Sequence, residues 1–568
     1  MKVIIDNVYS TIEGADETLL NMIDEELSVK QPGYFFNPAY KMGRWDGKIR
    51  FYDKKSRTFP TGHLEKVLEI LETAEVEDVR KPYDIDVPDE IQLLEPDAEG
   101  GVITLRDYQY DAVKGAVSGF RGVVNVATNG GKTEIASGII KQLLPHLEGE
   151  DTILFVTHSK EIFHQSAARI EKRLNIKVGK VGDGAWDVKP VTLIMIPTIS
   201  KYIKKPTKDT ISYTGEMKSV RLLVRLLDGE LAKGLNNRRI MQDALAALEG
   251  VDEEKDYDEK AIEIVSHILQ TQKDSDGCLK EFQKMKKDLA KYQEKKIKEA
   301  MKKHEDVLQF LSTAKAFIGD EVHHASSTTW YDTLMLCTNA VYRVGLTGTV
   351  DKKDPVNVMR LFGAVGGIIT KISNDFLIKR GISAKPTMFL ETIKVPDLSN
   401  SLSWQNAYKL GIVENEVRNQ SIVDKVAEKY VEGKGCLIIV NYTAHGDKLK
   451  EMLDKVGVEC EFTHGGRTSE DRLNILNDMK NERLKVLIAT SVLDEGVDIS
   501  GINCLWLAAG GKSFRQVLQR IGRGLRKKAD GSGLEVYDFL DLNNKHLSEH
   551  TMERYQYYKD ENFEIKKV

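Results

Sequence analysis

The sequence predicts an α/β protein with two parallel-sheet lobes, a small N-terminal α+β domain and a helical insertion in the first lobe. At 568 residues, the chain is too long for one hydrophobic core, and its length suggests roughly three or four domains. Short apolar runs alternate with amphipathic helical patterns in two successive series, as in parallel sheets covered by helices. A glycine-rich turn joins one such run to a helix and contains Lys132 and Thr133.

The domain boundaries follow from these two series and from changes in composition. The N-terminal part has β-like runs at Lys2 to Ile5 and Lys48 to Tyr52, and a helical pattern from Gly62 to Ala74. The acidic, proline-containing stretch from Pro82 to Gly101 is interpreted as a linker. We therefore expect an N-terminal domain at 1–95, lobe 1 at 96–204 and 313–383, an insertion at 205–312, lobe 2 at 384–545 and a C-terminal helix at 546–568.

Composition favours a multidomain globular protein without a membrane span. No apolar run reaches the roughly 18 residues that a spanning helix needs, and the first residues do not form a signal-peptide pattern. The five cysteines are scattered without a CxxC pair, which argues against zinc and disulfide frameworks. This pattern favours a reducing cytoplasm. A net charge of -5 argues against a generally basic coat for nucleic acid.

Within the N-terminal domain, one segment is locally basic. Between Lys41 and Arg57 there are seven Lys or Arg residues against two Asp, interleaved with aromatic side chains. This mixture suits contact with phosphates and with bases or sugars. The alternative is a hairpin whose aromatic residues form a small core and whose lysines are solvated. The candidate DNA-binding residues are Lys41, Arg44, Trp45, Lys48 and Arg50.

The strand Gly122 to Val126 leads into a candidate phosphate loop. In a strand–turn–helix of this kind, backbone N–H groups and the helix N-terminus face the β-phosphate, a lysine reaches the β and γ oxygens, and a hydroxyl ligates Mg²⁺. Val126 stands where the strict G-x4-G-K-T pattern has glycine, and an ordinary strand–turn–helix is the alternative. The candidate ATP-binding residues of the loop are Asn129, Gly130, Gly131, Lys132 and Thr133, with Thr133 also a metal ligand.

A later apolar run, Ala316 to Gly319, ends in Asp320 and Glu321, followed after Val322 by His323. Ligand chemistry in open α/β sheets lies at such strand ends. Two adjacent carboxylates suit the holding of Mg²⁺ by one and the orientation of an attacking water by the other. Taken alone, the pair is weak evidence, because acidic residues that cap a helix after a strand are commoner than catalytic pairs.

Polar side chains also follow other predicted strands, such as Thr152 to Thr157, which leads to a predicted helix from Lys160 to Leu174. Thr157 and Thr198 lie where a second ligand crosses such a sheet, and Thr490 follows a strand of lobe 2, so these three are candidate nucleic-acid contacts. Thr347 and Thr349 end another strand, where their hydroxyls either relay between a γ-phosphate and a moving neighbour or cap the next turn.

The insertion has a helical pattern, with apolar residues such as Phe282, Met285 and Leu289 recurring every three to four positions. From Lys280 to Lys303 there are ten lysines against four acids. We expect an antiparallel helical hairpin with one basic face, which is either a solvated surface or a contact for nucleic acid.

In lobe 2, the predicted strands Cys436 to Val440, Glu459 to Thr463 and Val486 to Ala489 alternate with helices, and no second phosphate loop is found. Further along, Gln519, Arg523 and Arg526 share one face of a predicted helix. Two arginines on such a face can clamp a γ-phosphate from a neighbouring domain. A plain basic surface helix is the alternative.

Taken in order, these segments resemble the motifs of the superfamily 2 helicases and translocases. The matches, which cover residues 105 to 528, are a Q-type motif (Arg106, Gln109), motif I (Gly131 to Thr133), motif II as Asp-Glu-Val-His, motif III (Leu346 to Thr349), motif V (Thr490 to Asp498, including Gly496) and motif VI (Gln519 to Arg526). The resemblance implies two RecA-like lobes with ATP between them and a nucleic-acid strand across them.

The resemblance also assigns roles to individual residues. It implies adenine contact for Gln109, Mg²⁺ binding for Asp320, water activation for Glu321 and coupling for His323. Arg523 and Arg526 would clamp the γ-phosphate. The implied cofactors are ATP and Mg²⁺.

The N-terminal Gly33-Tyr34-x-Phe36-Asn37-Pro38 and Gly43-x-Trp45-Asp46-Gly47-Lys48 segments, with the Tyr/Lys-rich last helix (His546 to Phe563), resemble the phage UvsW recombination helicases. That group implies action on branched DNA, such as Holliday junctions, forks and R-loops, in recombination, repair and replication. The sequence departs from the group at Asn129-Gly130 and in the long insertion, which suggests altered substrate choice or docking of recombination or replication proteins. The rival interpretations are a restriction-type duplex translocase and a nucleic-acid scaffold with a vestigial motor, and RNA remains an alternative substrate.

Overall fold

The computed structural model describes residues 1–96, 99–233, 236–249, 258–348, 350, 354–383, 386–490, 502–511 and 533–568. The described chain divides into two compact units. The first comprises Met1–Thr198 together with Ser312–Val568, and the second comprises Ile199–Leu311. None of the described helices is both long enough and apolar enough to cross a membrane.

The strands, in chain order, have the following bounds: β1 Lys2–Ile5, β2 Tyr9–Glu13, β3 Ser28–Lys30, β4 Lys48–Arg50, β5 Thr58–Pro60, β6 Glu75–Asp78, β7 Gln92–Leu94, β8 Val102–Thr104, β9 Arg121–Val126, β10 Thr152–Thr157, β11 Gly179–Gly182, β12 Ala185–Asp187, β13 Val191–Met195, β14 Ala314–Asp320, β15 Tyr342–Thr347, β16 Ile368–Ile372, β17 Thr387–Glu391, β18 Cys436–Ile439, β19 Cys460–Thr463, β20 Val486–Ala489, β21 Cys504–Trp506, β22 Glu535–Phe539 and β23 Glu564–Lys567.

The α-helices have these bounds: α1 Glu17–Glu26, α2 Pro38–Lys41, α3 Leu64–Ile70, α4 Asp107–Gly119, α5 Lys132–Leu143, α6 Lys160–Leu174, α7 Ile196–Ile199, α8 Glu216–Leu227, α9 Asn237–Glu249, α10 Glu259–Thr271, α11 Ser275–Ser312, α12 Thr328–Met335, α13 Pro355–Val365, α14 Asn374–Lys379, α15 Trp404–Tyr408, α16 Glu416–Val431, α17 Thr443–Lys455, α18 Ser469–Lys480 and α19 Lys545–Asp560.

The N-terminal domain is a four-stranded mixed sheet in the order β5-β2-β1-β6, covered by α1 and α3. Its central strand β1 has the predicted bounds, and its alternate residues Val3 and Ile5 are buried while their neighbours face outward. This period of two is that of a strand with one face on a core. The sequence interpretation of a small α+β module is therefore confirmed.

Lobe 1 is an eight-stranded sheet in the order β12-β11-β13-β10-β14-β15-β9-β16, in which only the edge strand β12 runs antiparallel. Every residue of the central strand β10 is buried, as expected for a strand covered by helices on both faces. The predicted strand at Thr152–Thr157 and helix at Lys160–Leu174 have the observed bounds. The parallel order brings the carboxyl ends of the lobe 1 strands to one edge.

A fully buried arginine holds this lobe together beneath β15. The Arg343 guanidinium donates to three backbone carbonyls, those of Leu334 at 2.8 Å, Cys337 at 3.0 Å and Ala364 at 2.8 Å. It also lies over the ring of Phe317, 4.8 Å from the ring centroid. Burial lowers the pKa of Arg343 to about 10, so the side chain stays charged at neutral pH. One side chain thus ties the end of α12 and the residues after it to the end of α13.

The stretch from Pro82 to Gly101, interpreted from the sequence as a linker, is packed against lobe 1. Ile91 and Leu93 are buried in the core of lobe 1, and β7 pairs antiparallel with β8. Tyr83 stacks on Tyr342, and its hydroxyl donates to Asp151 at 2.7 Å. The stretch packs against the lobe and does not form a linker, because the apolar residues between its acidic ones are buried. Its β7 strand forms a hairpin with β8.

Lobe 2 is a parallel sheet of seven strands in the order β19-β20-β18-β21-β22-β17-β23. The C-terminal segment predicted as a helix at 546–568 is helical only through Asp560. Residues Glu564–Lys567 instead form β23, the edge strand of the sheet, which pairs parallel with β17. The reason is that Phe563 and Ile565 pack into the lobe 2 core, so the chain extends along the sheet edge.

The insertion forms a helical unit with its own core, contributed by α8, α9, α10 and α11. A two-helix hairpin was predicted, and the structure corrects this. A hairpin could not bury Leu223, Met241, Val265 and Phe282 together, whereas four helices enclose all of them. The second unit begins at Ile199 and ends at Leu311, compared with the predicted 205–312.

We expect Arg343→Leu to destabilise lobe 1 by about 3 kcal/mol, because three buried carbonyls lose their donor. The matched control is Arg380→Leu. Arg380 is exposed, pairs with Asp107 and lies over the ring of Phe376, so its loss should cost less than about 1 kcal/mol. Urea unfolding of both variants measures the difference. Equal unfolding midpoints would mean that the three carbonyl contacts do not stabilise the lobe.

Candidate active site

The predicted catalytic residues lie on adjacent strand ends of lobe 1. The order β14-β15-β9 places Asp320 and Glu321, Thr347, and the loop that follows Val126 side by side. With neighbouring strands about 4.8 Å apart, the loop and Glu321 are separated by about 10 Å. A lysine side chain is long enough to cross that gap.

The loop that follows β9 has the backbone of a phosphate cradle. Gly131 has φ +84° and precedes the first residue of α5, Lys132. Asn129 adopts φ +70°, a left-handed conformation that Asn tolerates better than most residues. Val126 lies within β9 and pairs with Ile372, so the strand continues through the position where a stricter motif has glycine.

Gln109 supports this loop from below. Its amide nitrogen donates to the carbonyl of Gly130 at 3.0 Å, and its amide oxygen accepts from the backbone N–H of Arg106 at 3.0 Å. A Cβ at Gly131 would lie 2.2 Å from that amide nitrogen, so glycine is required there. In this structure the Gln109 amide therefore braces the loop.

Helix α5 is held in place by a buried carboxylate. Glu134 accepts hydrogen bonds from Arg169 at 2.9 Å and from Arg173 at 3.3 Å, both on α6. Burial alone would raise the pKa of Glu134, but the two guanidinium groups outweigh it and lower the pKa. The two helices that follow β9 and β10 are thereby fixed relative to each other.

The ammonium of Lys132 forms an ion pair with Oε1 of Glu321. The two side chains are only 14% and 13% exposed, so the pair is poorly screened by solvent. Burial alone would raise the pKa of Glu321, but Lys132 and His323 outweigh it and hold the pKa well below its usual range. Glu321 is therefore an ionised carboxylate at neutral pH. Its backbone lies in the left-handed region, at φ 49°, which turns the side chain toward the loop.

His323 connects the carboxylates to the strand between them and the loop. Its Nδ1 lies 3.0 Å from Oγ1 of Thr347 and 3.4 Å from Oε2 of Glu321. The side chains of motifs II and III, as identified in the sequence, are thus in direct contact. Rearrangement at Glu321 can be transmitted through His323 to the end of β15.

The oxygen atoms near the loop suit Mg²⁺. Asp320 is 8% exposed and accepts the backbone N–H of Glu321 at 3.0 Å, while Thr133 lies in the first turn of α5. A carboxylate and a hydroxyl are hard oxygen ligands of the kind that Mg²⁺ prefers. No group of three or more His, Cys, Asp or Glu side chains able to hold a metal occurs among the described residues.

The predicted nucleic-acid contacts in the lobes lie at the ends of β10, β13 and β20. Thr157 is fully buried, and its hydroxyl donates to the carbonyl of Ile194 at 3.3 Å. Thr198 is half-buried in α7. Thr490 is 5% exposed, and its backbone N–H donates to the carbonyl of Thr463 at 3.2 Å. These three residues lie at or just beyond the carboxyl ends of their strands. The Thr157 hydroxyl already donates to the backbone carbonyl of Ile194.

In the N-terminal domain, the structure separates the basic candidates into two groups. Lys48 pairs with Glu25 at 2.5 Å, and Arg50 pairs with Asp46 at 2.5 Å. The indole N–H of Trp45 donates to the carbonyl of Lys48 at 2.9 Å.

The second group, Lys41 and Arg44, is exposed, and neither residue forms an ion pair within the described part of the chain. They lie beside Phe35, Phe36 and Met42, whose exposed fractions are 52%, 71% and 65%. The sequence interpretation did not include Phe35 and Met42 among the contacts. Their exposure, rather than any motif, distinguishes them.

Several predicted site residues fall outside the described residues. They are Thr349, Gly496, Asp498, Gln519, Arg523 and Arg526. Their roles stay predictions.

Sequence reasoning missed a buried charge cluster in lobe 2. Arg554 of α19 donates to Asp538 at 2.8 Å and to the carbonyl of Gly510 at 2.6 Å. Arg418 donates to Asp541 at 3.0 Å and to the carbonyl of Ala508 at 2.7 Å. The cluster thus fixes the segment that directly precedes residues 512–532, which contain the predicted arginine helix. In the sequence, the signal for this buried cluster was the pair of aspartates, Asp538 and Asp541, in the apolar stretch that follows Leu534.

Comparison with known families gives three matches in a fixed order along the chain. Residues 2–77 match "DNA helicase UvsW, N-terminal", and residues 102–218 and 235–352 match "Type III restriction enzyme, res subunit". Residues 419–528 match "Helicase conserved C-terminal domain". The second and third matches include the loop at Lys132, the carboxylates at Asp320 and Glu321, and the predicted arginine helix.

Individual relatives agree with this order. The ATP-dependent DNA helicase uvsW of Enterobacteria phage T4 is 20% identical over 580 residues, covering 96% of this chain and 95% of that protein. A helicase of the Sulfolobus islandicus filamentous virus is 28% identical over 263 residues, which is 43% of this chain and about half of that protein, 46%.

Among solved structures, the crystal structure of T4 UvsW is matched over 100% of this chain and 99% of that chain, with 18% identity and a TM-score of 0.42. At that score, the fold assignment rests on the sheet order of the present chain and not on the superposition. The three family matches, their order and the near full-length relative lead to one conclusion. The chain belongs to the superfamily 2 ATP-dependent helicases and carries an N-terminal domain of the UvsW type.

Proposed function

We propose that this helicase unwinds and branch-migrates branched DNA, such as Holliday junctions, forks and R-loops, in recombination, repair and replication. The observation that carries the proposal is the UvsW-type domain at residues 2–77, joined to a lobe whose lysine, carboxylates and histidine meet at one sheet edge. The near full-length similarity to the phage T4 DNA helicase supports the same class of substrate.

In the first step of catalysis, the ammonium of Lys132 would exchange Glu321 for the phosphates of ATP. Its ammonium, now paired with Glu321, would turn to the β and γ oxygens of ATP when the phosphates enter the loop. The backbone N–H groups at the start of α5 would face the same phosphates. Asp320 and Thr133 would hold Mg²⁺, which neutralises developing phosphate charge when bound.

Release of Lys132 leaves Glu321 free to orient and deprotonate the attacking water. Glu321 is ionised at neutral pH, which is the state that this role requires. Its partner His323 would sense the change and transmit it through the Thr347 hydroxyl to β15. Thr349, next along the chain, is proposed to continue this coupling.

Lobe 2 is proposed to complete the site through Arg523 and Arg526, with Gln519, Gly496 and Asp498 lining the nucleotide. The buried Arg554 and Arg418 contacts fix the segment from which this part of the chain departs. Closure of the lobes around ATP and reopening after hydrolysis would move lobe 2 along one DNA strand. Thr157, Thr198 and Thr490 would then mark the track of that strand across both sheets.

The N-terminal domain is proposed to hold the branch. Its exposed tip combines Lys41 and Arg44 for phosphates with Phe35 and Phe36 for bases, the combination used by proteins that grip unpaired nucleotides. Trp45, Lys48 and Arg50 support the tip, the last two through their ion pairs. An RNA–DNA hybrid fits the same contacts, because most of them are to phosphate and sugar.

A second candidate function is movement along duplex DNA without strand separation. It is favoured by the similarity of lobe 1 to the type III restriction enzyme subunit. The two functions differ in whether the N-terminal domain acts on a junction. A vestigial motor is disfavoured because the sequence retains Lys132, Asp320, Glu321 and Arg526.

We expect Lys132→Ala and Glu321→Gln each to lower DNA-stimulated ATP hydrolysis by at least about 100-fold, because each removes charge that acts in the transition state. Phosphate release in a steady-state assay measures the effect. Lys141→Ala is the matched control, because Lys141 lies on the same helix and its ammonium donates to the carbonyl of Gln92. Lys141→Ala should retain full activity, and activity surviving in both site variants would refute the assignment.

We expect the wild-type protein to unwind a synthetic Holliday junction by branch migration faster than it displaces a triplex-forming strand from a linear duplex. Lys41→Gln combined with Arg44→Gln should slow the junction reaction and leave triplex displacement unchanged, because only the branch contact is weakened. Lys2→Gln with Lys66→Gln removes the same charge from ion-paired lysines of the domain and serves as control. Triplex displacement without junction activity in the wild type would instead establish the duplex translocase.

A further inference from the structure

Helix α11 of the helical unit presents a single line of lysines, here called the lysine stripe. Its members follow one another at steps of three or four residues: Lys280, Lys284, Lys287, Lys291, Lys295, Lys298 and Lys302. At 100° per residue they fall within a sector of about 80° on the helix surface. All seven side chains are exposed.

The opposite face of α11 explains why the stripe points to solvent. Cys278, Phe282, Met285 and Leu289 are buried in the core of the helical unit, which fixes the rotation of the helix about its axis. From Ala290 to Lys303, every residue is described and no side chain is buried. For about 21 Å the stripe side of the helix therefore faces solvent, while Tyr292 and Gln293, outside the stripe, contact Tyr213.

An ordinary solvated helix face does not account for the stripe. Such faces mix charges, because acid–base pairs three or four residues apart stabilise a helix and like charges at those spacings destabilise it. The stripe contains six consecutive like-charge pairs. None of the four acids between Lys280 and Lys303 falls within its sector.

The charges of the stripe are largely uncompensated. Within the described helical unit, Lys284 pairs with Glu281 at 3.6 Å, and the other six members form no ion pair. By contrast, lysines of α11 outside the stripe are engaged, such as Lys286 with Asp228 at 2.6 Å and Lys296 with Glu299 at 2.8 Å. A net charge of -5 for the whole chain shows that the stripe is not a consequence of generally basic composition.

These observations lead to one assignment, which rests on the proposed function in DNA remodelling. We propose that the lysine stripe is a second DNA-binding surface that lies along the phosphates of duplex DNA. The stripe is about 33 Å long, the length of about ten base pairs. Seven cations along that length meet the high charge density of a duplex.

Duplex DNA fits better than a single strand. Proteins that hold single strands combine cations with aromatic side chains on which bases stack. The sector of the stripe between Lys280 and Lys302 contains only lysines. Without stacking groups or bidentate donors, the surface recognises phosphate charge and carries no preference for sequence.

The test compares two triple variants that remove the same charge from the same helix. The first, Lys287→Gln with Lys295→Gln and Lys302→Gln, removes three members of the stripe. The control, Lys286→Gln with Lys296→Gln and Lys303→Gln, changes the adjacent lysine in each case. Glutamine has nearly the helix propensity of lysine, so both variants should fold, and far-ultraviolet circular dichroism checks this.

Affinity for a blunt DNA duplex of about 30 base pairs, three times the length of the stripe, is measured by fluorescence anisotropy over a range of salt concentrations. In the stripe variant, the slope of log affinity against log salt should fall by about 2.7, which corresponds to three phosphate contacts. Duplex affinity at low salt should fall at least about tenfold. The control should keep the wild-type slope, and ATP hydrolysis without DNA should be unchanged in both.

Equal loss in the two variants would overturn the proposal, because charge alone and not its placement would then matter. A loss confined to a single-stranded probe, or to an RNA duplex, would overturn the assignment to duplex DNA. The proposed function can fail independently of the lysine stripe. If the wild type hydrolyses no ATP but the two variants still differ in duplex affinity, the stripe is a DNA-binding surface and the assignment of an ATP-driven motor is wrong.

Discussion

The ion pair between Lys132 and Glu321 is the interaction on which the organisation of the active site depends. It joins the first residue of α5 to the end of β14, across the intervening strand β15. In the proposed mechanism each partner has a separate task toward ATP, and neither can perform it while the two are paired. The phosphates of ATP would supply the competing charge that separates them.

The surrounding structure keeps both partners in position for that exchange. Gln109 fixes the carbonyl of Gly130, and Glu134 fixes α5 against α6. On the other side, His323 bonds both Glu321 and Thr347. In lobe 2, Arg554 and Arg418 hold the segment before residues 512–532 by its carbonyls. Through His323, a displacement at the ion pair has a direct route to Thr347 at the end of β15.

The sequence allowed prediction of this site because its residues are read from local patterns. A strand followed by Gly131, Lys132 and Thr133, and a strand followed by two carboxylates, are recognisable without knowing what lies beside them. The bounds of β10 and α6 were predictable for the same reason, since their apolar periodicity is strong. Val126 departs from the usual motif but is compatible with the fold, because β9 simply runs one residue further than that motif requires.

Features that depend on long-range packing were not predictable. The buried Arg343 and Arg554 look like surface residues in the sequence, because only the fold brings carbonyls and aspartates around them. The insertion was predicted as two helices, since nothing local reveals that α8 and α9 complete its core. Conversely, the lysine stripe is plain in the sequence, but its significance appears only when the core of the helical unit fixes which face of α11 is exposed.

The central claim is that Glu321 competes with nucleotide for Lys132, and nucleotide affinity tests it most directly. Titration of the wild type and of Glu321→Gln with a fluorescent, non-hydrolysable ATP analogue measures that affinity apart from catalysis. Removal of the carboxylate charge should free the ammonium, so the account predicts tighter binding by Glu321→Gln, while Lys132→Ala binds more weakly than either. Unchanged or weaker binding by Glu321→Gln would contradict the account.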